Sequence, residues 1–506
     1  MHNITSLPVE NAAIYNKSYT IAVYTNGEGK ADLKKFSRND SIYIRHPSVN
    51  TIGLTYQDIV DMNFVLLISK RSILMDDIVV TAYRWQEKKR DLPFQTDIIK
   101  IREMTIPQTS ADILSSAGNL MLQKSQGGGG SPVIRGFEAN RVLLVLDGVR
   151  LNNAIYRSGH LQNSMTLDMG GLDRVEIIYG PASVIYGSDA LGGVVHYHTR
   201  EPILSDENKF LIKADAFTKY SSASNSNISS IGVNAGFKKF AWFSSYTLSN
   251  FGDIRMGKNR NPFLGDHGKA YYQTVFLDGR DSVISNTNTD IQPNTGYRQF
   301  DLTQKLLVLL SRNLKLSGNF QYSTSSRIHR YDELSIYNNA VPNYATWYYG
   351  PQNRLFGSVS LFSDGETVLF SGYKAVLAYQ RIDEDRINRR FRRDNELHQE
   401  EDVDVFSFNL DFRKSLSPRD MLEYGFESTY NNVNSNGYNK SIRNGTISEA
   451  LSRYPDKGSI LGTVATYAGY KWNPESKIRL AAGLRYFHTF IHSEFSEDYD
   501  MIPFPV

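Results

Sequence analysis

From about Lys209 onward, apolar and polar residues alternate along the chain. Ala241 to Asn250 (AWFSSYTLSN) puts Trp242, Tyr246 and Leu248 on one face of an extended segment and Ser245, Thr247 and Ser249 on the other. Lys477 to Phe490 likewise sets Ile478, Leu480, Ala482, Leu484, Tyr486 and Phe490 against Arg479, Arg485 and Thr489, and His488 continues the apolar side. A period of two sustained over such lengths marks strands with one apolar and one polar face, which suits a barrel with lipid outside and water inside. Alternation and turn signals place about eleven strands, centred near residues 214, 233, 245, 303, 319, 358, 375, 409, 426, 466 and 484. Short turns (Lys238-Lys239, Ser311 to Asn313, Ser363 to Gly365, Ser417 to Arg419, Asn473 to Glu475) alternate with long connections near 251–295, 326–350, 384–402 and 435–458. Membrane barrels show this asymmetry, with short turns on the periplasmic side and long loops outside.

The stretch Gly127 to Arg200 differs. Its apolar runs (Val142 to Leu146, Val175 to Ile178, Val194 to Tyr197) are separated by glycine-rich, charged connectors, which predicts a compact mixed domain with buried strands. Placed before a barrel, it reads as a stopper. Ser110 to Leu114 predicts a short helix with Ser110 as its N-cap. The run Gly127 to Gly130 is a loop and not a phosphate cradle, because no Gly-Lys-Ser/Thr follows it. Earlier still, Thr20 to Tyr24, Asp40 to Arg45 and Phe64 to Ser69, with a turn at Asn26 to Gly29, predict a small β-sandwich. Met75 to Ala82 is an extended, β-branched run before a charged linker, of the kind that can add a strand to another protein's sheet edge.

Composition narrows this picture. The 506 residues include 31 tyrosines, 26 phenylalanines and no cysteine, a balance that suits aromatic girdles and an oxidising periplasm. A net charge of +3 gives no argument for nucleic acid. No apolar run is long enough for a membrane helix, which leaves a barrel open because its strands are apolar on one face only. The opening MHNITSLPVE lacks the basic start and apolar core of a secretory signal. With about half the strands of a plugged barrel and an end at Met501 to Val506, the chain is expected to be a fragment, starting inside its first domain and lacking the other half of the barrel.

Ile134-Arg135-Gly136-Phe137, Leu146-Asp147-Gly148-Val149-Arg150, Arg174-Val175-Glu176-Ile177 and Gly180 to Val194 resemble the plug domain of TonB-dependent outer-membrane receptors. Arg157 to Asn163 resembles the plug segment of the haem and haemoglobin branch, Asp77 to Thr81 a TonB box, and the first domain the carboxypeptidase-regulatory-like domain of Bacteroidetes-type receptors. The resemblance implies a mainly β chain. It would comprise a truncated β-sandwich (1–72), a TonB box and linker (73–91), an α+β plug (92–205) and half of a roughly 22-stranded antiparallel transmembrane barrel (206–506). It implies a monomeric receptor in the Gram-negative outer membrane, in contact with lipid and lipopolysaccharide, that imports haem or haemoglobin-borne haem when TonB and its inner-membrane complex pull on the plug. Haem would be cargo and not a prosthetic group, and no enzymatic activity is implied. The rival readings are a receptor for a ferric siderophore, cobalamin or carbohydrate, and a surface protein that binds haemoprotein without transport.

His160 is the sharpest candidate residue, as an axial ligand to haem iron. The family's second histidine lies near Phe-Arg-Ala-Pro and Asn-Pro-Asn-Leu motifs, and neither occurs here. His267, His329 and His398 are candidate loop contacts, with solvated loop residues as the plainer account. Arg386 to Arg393 could attract propionates or lipopolysaccharide phosphates. The TonB-box residues are Asp77, Ile78, Val79, Val80 and Thr81. Arg135, Asp147, Arg150, Arg174 and Glu176 are read as ion pairs within the plug and from plug to wall, since a buried charge must be paired. His196 and His198 lack the Glu-x-x-His companions of a zinc protease, and no Gly-x-Ser-x-Gly occurs.

Overall fold

The computed structural model describes residues 8–46, 49–66, 78–80, 85–88, 95–101, 107–124, 127–156, 164–180, 182–205, 209–257, 261, 263, 265–338, 341–417, 419–475 and 478–496. They fall into two compact units, Met1–Ile78 and Val79–Val506. His160, Asp77 and Thr81 lie outside the described residues.

In the first unit β1 (Ala13–Asn16), β2 (Ala22–Tyr24), β3 (Ser41–His46) and β4 (Val49–Thr55) form one antiparallel sheet in the order β2-β1-β3-β4. One face buries Ile14, Ile42 and Ile44 together with Val9, Phe36 and Ile59. Ile59 belongs to α1 (Tyr56–Asp61), which a capping box between Thr55 and Asp58 starts directly at the end of β4. The expected sandwich is thus a single sheet among the described residues, with a helix on the face that a second sheet would cover. Phe64 to Leu66, the described part of an expected strand, is not extended ladder.

Next along the chain comes a two-stranded ribbon, β5 (Ile78–Val80) with β6 (Gln86–Lys88). The plug follows: β7 (Gln95–Lys100), α2 (Ser110–Leu114), β8 (Leu120–Gln123), β9 (Ser131–Ile134), β10 (Val142–Leu146), β11 (Val149–Arg150), β12 (Leu172–Tyr179), α3 (Ser183–Tyr186) and β13 (Gly193–Thr199). Five strands make a mixed sheet, β11-β10-β13-β12-β7, in which only β10 and β13 run parallel. Its two faces carry separate apolar layers: Leu144, Leu146, Val175, Ile177, Val195 and Tyr197 on one, Leu143, Val145, Ile178 and Val194 on the other. Burial on both faces explains why these strands read as continuous apolar runs. Thr109, not Ser110, caps α2, in a capping box with Asp112; Ser110 donates instead to the Ser164 carbonyl.

The barrel wall is a continuous antiparallel path through β14 (Leu211–Ser221), β15 (Ser226–Gly236), β16 (Phe240–Phe251), β19 (Tyr297–Ser311), β20 (Leu314–Ser325), β25 (Asn353–Ser363), β26 (Gly372–Arg390), β27 (Asn395–Ser417), β28 (Asp420–Ser441), β30 (Ser459–Glu475) and β31 (Ile478–Ser493). Every centre read from the alternation falls inside one of these strands. Among the described residues no pairing joins β14 to β31. Short strands decorate the long connections: hairpins β17 (Tyr272–Leu277) with β18 (Arg280–Ser285) and β22 (Tyr337–Asn338) with β23 (Val341–Pro342), then β21 (Ile328–His329), β24 (Tyr344–Tyr349) and β29 (Ile447–Glu449), with α4 (Tyr331–Leu334) between them. Outward residues such as Trp242, Tyr246 and Leu248 are exposed, whereas Ser245 and Thr247 face the plug at 0% and 1% exposure.

Strands β26, β27 and β28 have 19, 23 and 22 residues, about twice the nine to eleven that cross a membrane. Pairing continues from Asp383↔Asp402 out to Asn388↔Leu397, and β24 pairs with the same end of β26. Much of the expected loop 384–402 is therefore ladder, closed by a connection of only four residues, 391–394.

Candidate functional site

The plug meets the wall through a dense set of polar contacts. Asp147 sits in the turn between β10 and β11 at φ 49°, followed by Gly148 at φ 94°. Its carboxylate accepts from Thr199 N (3.0 Å), Lys305 Nζ (3.1 Å) and Asn319 Nδ2 (2.9 Å), and Lys305 also donates to Thr199 Oγ1 (2.7 Å) and Glu201 (2.6 Å). Burial alone would raise the Asp147 carboxyl, but Lys305 and the Thr199 donors outweigh it and hold it well below the usual carboxylate range. A depressed folded-state pKa gives stability that is complete above the unfolded value of about 4 and is lost as pH falls below it. Protection of the plug against an acid-active protease should therefore decline below about pH 4, and the Asp147→Asn variant should show little of that decline.

Arg150 donates to Asp189 (2.8 Å), to the Tyr186 carbonyl and to wall Glu427 (3.1 Å). Wall Arg485 approaches the same Glu427 at 3.5 Å and donates to the Ile185 carbonyl at 2.9 Å. One wall carboxylate is thus shared by an arginine from each side. Arg174 and Glu176 pair with each other inside the plug at 2.8 Å. Arg135 donates to Gln95 at 2.9 Å and lies 5.7 Å from the Tyr179 ring centre.

Many remaining contacts run from wall side chains to plug carbonyls. Gln299 donates to Met165 O, Asn409 to Gly148 O, Lys374 to Asp147 O and Gln380 to Arg150 O, at 2.7–3.3 Å. At Asp168, Thr247 Oγ1 (2.6 Å) and Gly170 N (2.9 Å) both donate to Oδ1. Gly170 is required by space: a Cβ there would lie 2.0 Å from Ser230 Oγ and 2.8 Å from Ser245 Oγ and Thr247 Oγ1. Gly170→Val should cost about 1–3 kcal/mol of plug seating, since overpacking strains a fixed ladder. Urea titration with proteolysis as the readout checks this.

On the side of the plug leading to residue 157, Ile155 is fully buried against Val403, Val405 and Val433. Asn431 Oδ1 accepts from Ala154 N at 3.1 Å, and Tyr454 Oη donates to the Ile155 carbonyl at 3.1 Å. A gap lined by Leu151, Tyr156, Thr166, Gln352, Arg354 and Gln380 has about 20 Å³, room for one water.

Residues 88–194 match the TonB-dependent receptor plug domain family, and residues 372–504 match the outer membrane protein beta-barrel family. The chain thus carries a TonB-dependent receptor plug domain followed by outer-membrane β-barrel strands. The receptor resides in the outer membrane of a Gram-negative cell. It is 27% identical over 274 residues to the vitamin B12 transporter BtuB of Vibrio vulnificus (strain CMCP6), covering 53% of this chain and 37% of the relative. It is 37% identical over 127 residues to a hemin receptor of Yersinia pestis, covering 24% of this chain and 18% of the relative. The solved copper transporter OprC shares the fold with a TM-score of 0.61 at 13% identity, over 79% of this chain and 55% of that one. The receptor thus spans well under two thirds of these proteins' lengths.

The histidines expected in its loops have separate surroundings. His267 is exposed in the connection after β16. His329 lies in β21, its ring 5.5 Å from that of Tyr348. His398 lies in β27 rather than a loop, stacked on Tyr438 (4.7 Å, 8°) and 3.0 Å from Glu396. The arginine run is largely engaged by protein: Arg389 forks onto Asp281, Arg386 faces Glu384 at 3.5 Å, and Arg390 lies over Tyr344. The residues that sequence reading missed are wall residues, among them Lys305, Asn319, Thr247, Asn409 and Glu427. Their signal is weak but present, as polar or charged residues at lumen-facing positions of strands that are otherwise rich in serine, threonine and aromatics.

Proposed function

We propose that the receptor imports haem across the outer membrane, drawing energy from TonB. What supports the haem reading is the sequence of the segment Arg157 to Asn163, which carries His160 and resembles the plug segment of haem and haemoglobin receptors. The likeness to the hemin receptor supports it as well. Neutral imidazole is a good axial ligand for haem iron. The experiment is a haem titration of the intact receptor and its His160→Ala variant, followed in the Soret band. The wild type should give an axial-imidazole spectrum and the variant should lose it together with most of the affinity; absence of haem binding by the wild type refutes the reading.

A second reading keeps the transporter and changes the cargo to a corrinoid or ferric chelate. The longer match to the B12 transporter favours it. Cobalamin protecting the receptor against proteolysis where haem does not would select it.

TonB would engage Asp77 to Thr81 by strand addition, since main-chain hydrogen bonds supply affinity at a sheet edge. Ile78–Val80 is already extended and pairs with β6, so partner and ribbon would compete for the same backbone groups. Deleting residues 76–82 should abolish uptake and leave cargo binding unchanged; uptake that survives the deletion would favour a surface protein that does not transport.

A further inference from the structure

Glu176, His196 and His198 form a buried cluster on one side of the plug sheet. The β12–β13 register sets Glu176 opposite His196, and His198, two residues on, projects to the same side. Their exposures are 0%, 1% and 6%, and one ligand atom from each lies within 4.8 Å of the others. His198 Nε2 is 3.2 Å from Glu176 Oε1 without the alignment of a hydrogen bond, and His196 Nδ1 has no hydrogen-bond partner among the described residues. The imidazole rings lie 4.0 Å apart, tilted by 31°. A buried polar nitrogen left unsatisfied is costly and calls for an explanation.

We propose that Glu176, His196 and His198 bind a divalent transition-metal ion of the zinc or cobalt class inside the plug. Two imidazole nitrogens and one carboxylate oxygen are the donors such ions take, whereas calcium and magnesium select oxygen alone. Both rings are available as neutral ligands: burial holds them well below the usual histidine range, helped at His196 by the adjoining His198 and at His198 by Arg174. The cations nearby are already offset. Arg174 is paired with Glu176 and Asp173, Lys305 with Asp147 and Glu201, and Lys374 donates to the Asp147 carbonyl. Arg174 Nε on Glu176 Oε1 orients the carboxylate, as an outer-shell donor does in built metal sites.

Loading the site changes the adjoining turn. Gly148 N donates to His196 Nε2 at 3.0 Å, so the metal-free ring carries its proton on Nδ1. Coordination through Nδ1 moves that proton to Nε2, where it displaces the Gly148 N–H. Gly148 follows Asp147, so metal binding reaches the residue that fastens the turn to wall Lys305.

The test uses the intact receptor purified from outer membranes, stripped with chelator and titrated with Co²⁺. Saturation at one equivalent, with visible ligand-field bands of a low-coordinate nitrogen and oxygen site that Zn²⁺ abolishes, is the expected result. Glu176→Gln and His198→Gln should each weaken Co²⁺ by at least about tenfold, because even outer-shell losses cost roughly 10–100-fold. Heat-modifiable mobility shows that each variant is folded. Wild type with only hexaaqua-like Co²⁺ overturns the proposal whatever the variants do, and so do folded variants that bind like wild type.

Discussion

Lys305→Met should lower the stability of the seated plug by about 3–5 kcal/mol, the usual cost of stranding one half of a buried ion pair. Lys305 is 3% exposed and satisfies three plug groups at once, Asp147, Thr199 and Glu201. Methionine keeps the length and apolar stem, so what is removed is the charge and its donors. The Asp147 carboxylate would retain Asn319 and Thr199 but lose its counter-ion, in a place where only 17% of the side chain is open to water. The urea concentration at which the plug becomes protease-sensitive should fall while the barrel's own heat-modifiable band is unchanged. Asp147→Asn in the same chain should recover part of the loss, because the pair is then absent rather than broken. A double variant no better than Lys305→Met alone would show that packing and not charge sets the cost.

Arg389→Met should carry a similar local cost, about 3–5 kcal/mol, with a different outcome. Arg389 forks onto Asp281 at 2.7 and 2.8 Å, the two side chains are 6% and 2% exposed, and Asp281 also accepts from Arg392 N at 2.7 Å. The pair fastens the hairpin β17–β18 to the outer end of β26. Its loss leaves the Asp281 carboxylate buried without its forked partner, and the hairpin can relieve that by opening to water. Limited proteolysis should thus cut within residues 271–286 of the variant and spare the plug, and Asp281→Asn should give the same pattern. An unaltered digest would mean that the hairpin is held by its other contacts, such as Tyr337 Oη on the Tyr272 carbonyl at 3.2 Å.

The wall was legible in the sequence because lipid imposes an alternation that survives in every strand, from Ala241–Asn250 to Lys477–Phe490. The plug was legible through its motifs, and their charges pointed to pairing, but the partners were not. Asp147 and Lys305 stand 158 residues apart, and no local pattern links a turn in one domain to the middle of a strand in another. Wall contacts to plug carbonyls are less visible still, since any residue supplies the acceptor. The extension of β26 and β27 lies in the expected loop 384–402, where Glu384, Asp385, Glu400, Glu401 and Asp402, next to Asp383, give no alternation of apolar and polar residues. Their backbone is nonetheless ladder, with like charges directly opposed across it and offset by Arg381 and Arg453. In the first unit the capping box at Thr55 and Asp58 was present in the sequence and passed over, and so the second sheet was expected where a helix stands.

The hydroxyl floor beneath Gly170 has a mechanical consequence. Thr247 holds the plug there by a single hydroxyl bond to Asp168, and Ser230 and Ser245 beside it present small groups with no large apolar side chain to interlock. A plug drawn along such a surface would let go a few bonds at a time, as tape peels, whereas one interlocked by large apolar side chains would have to shear all at once. The seat therefore can be firm at rest and still yield to a modest directed pull.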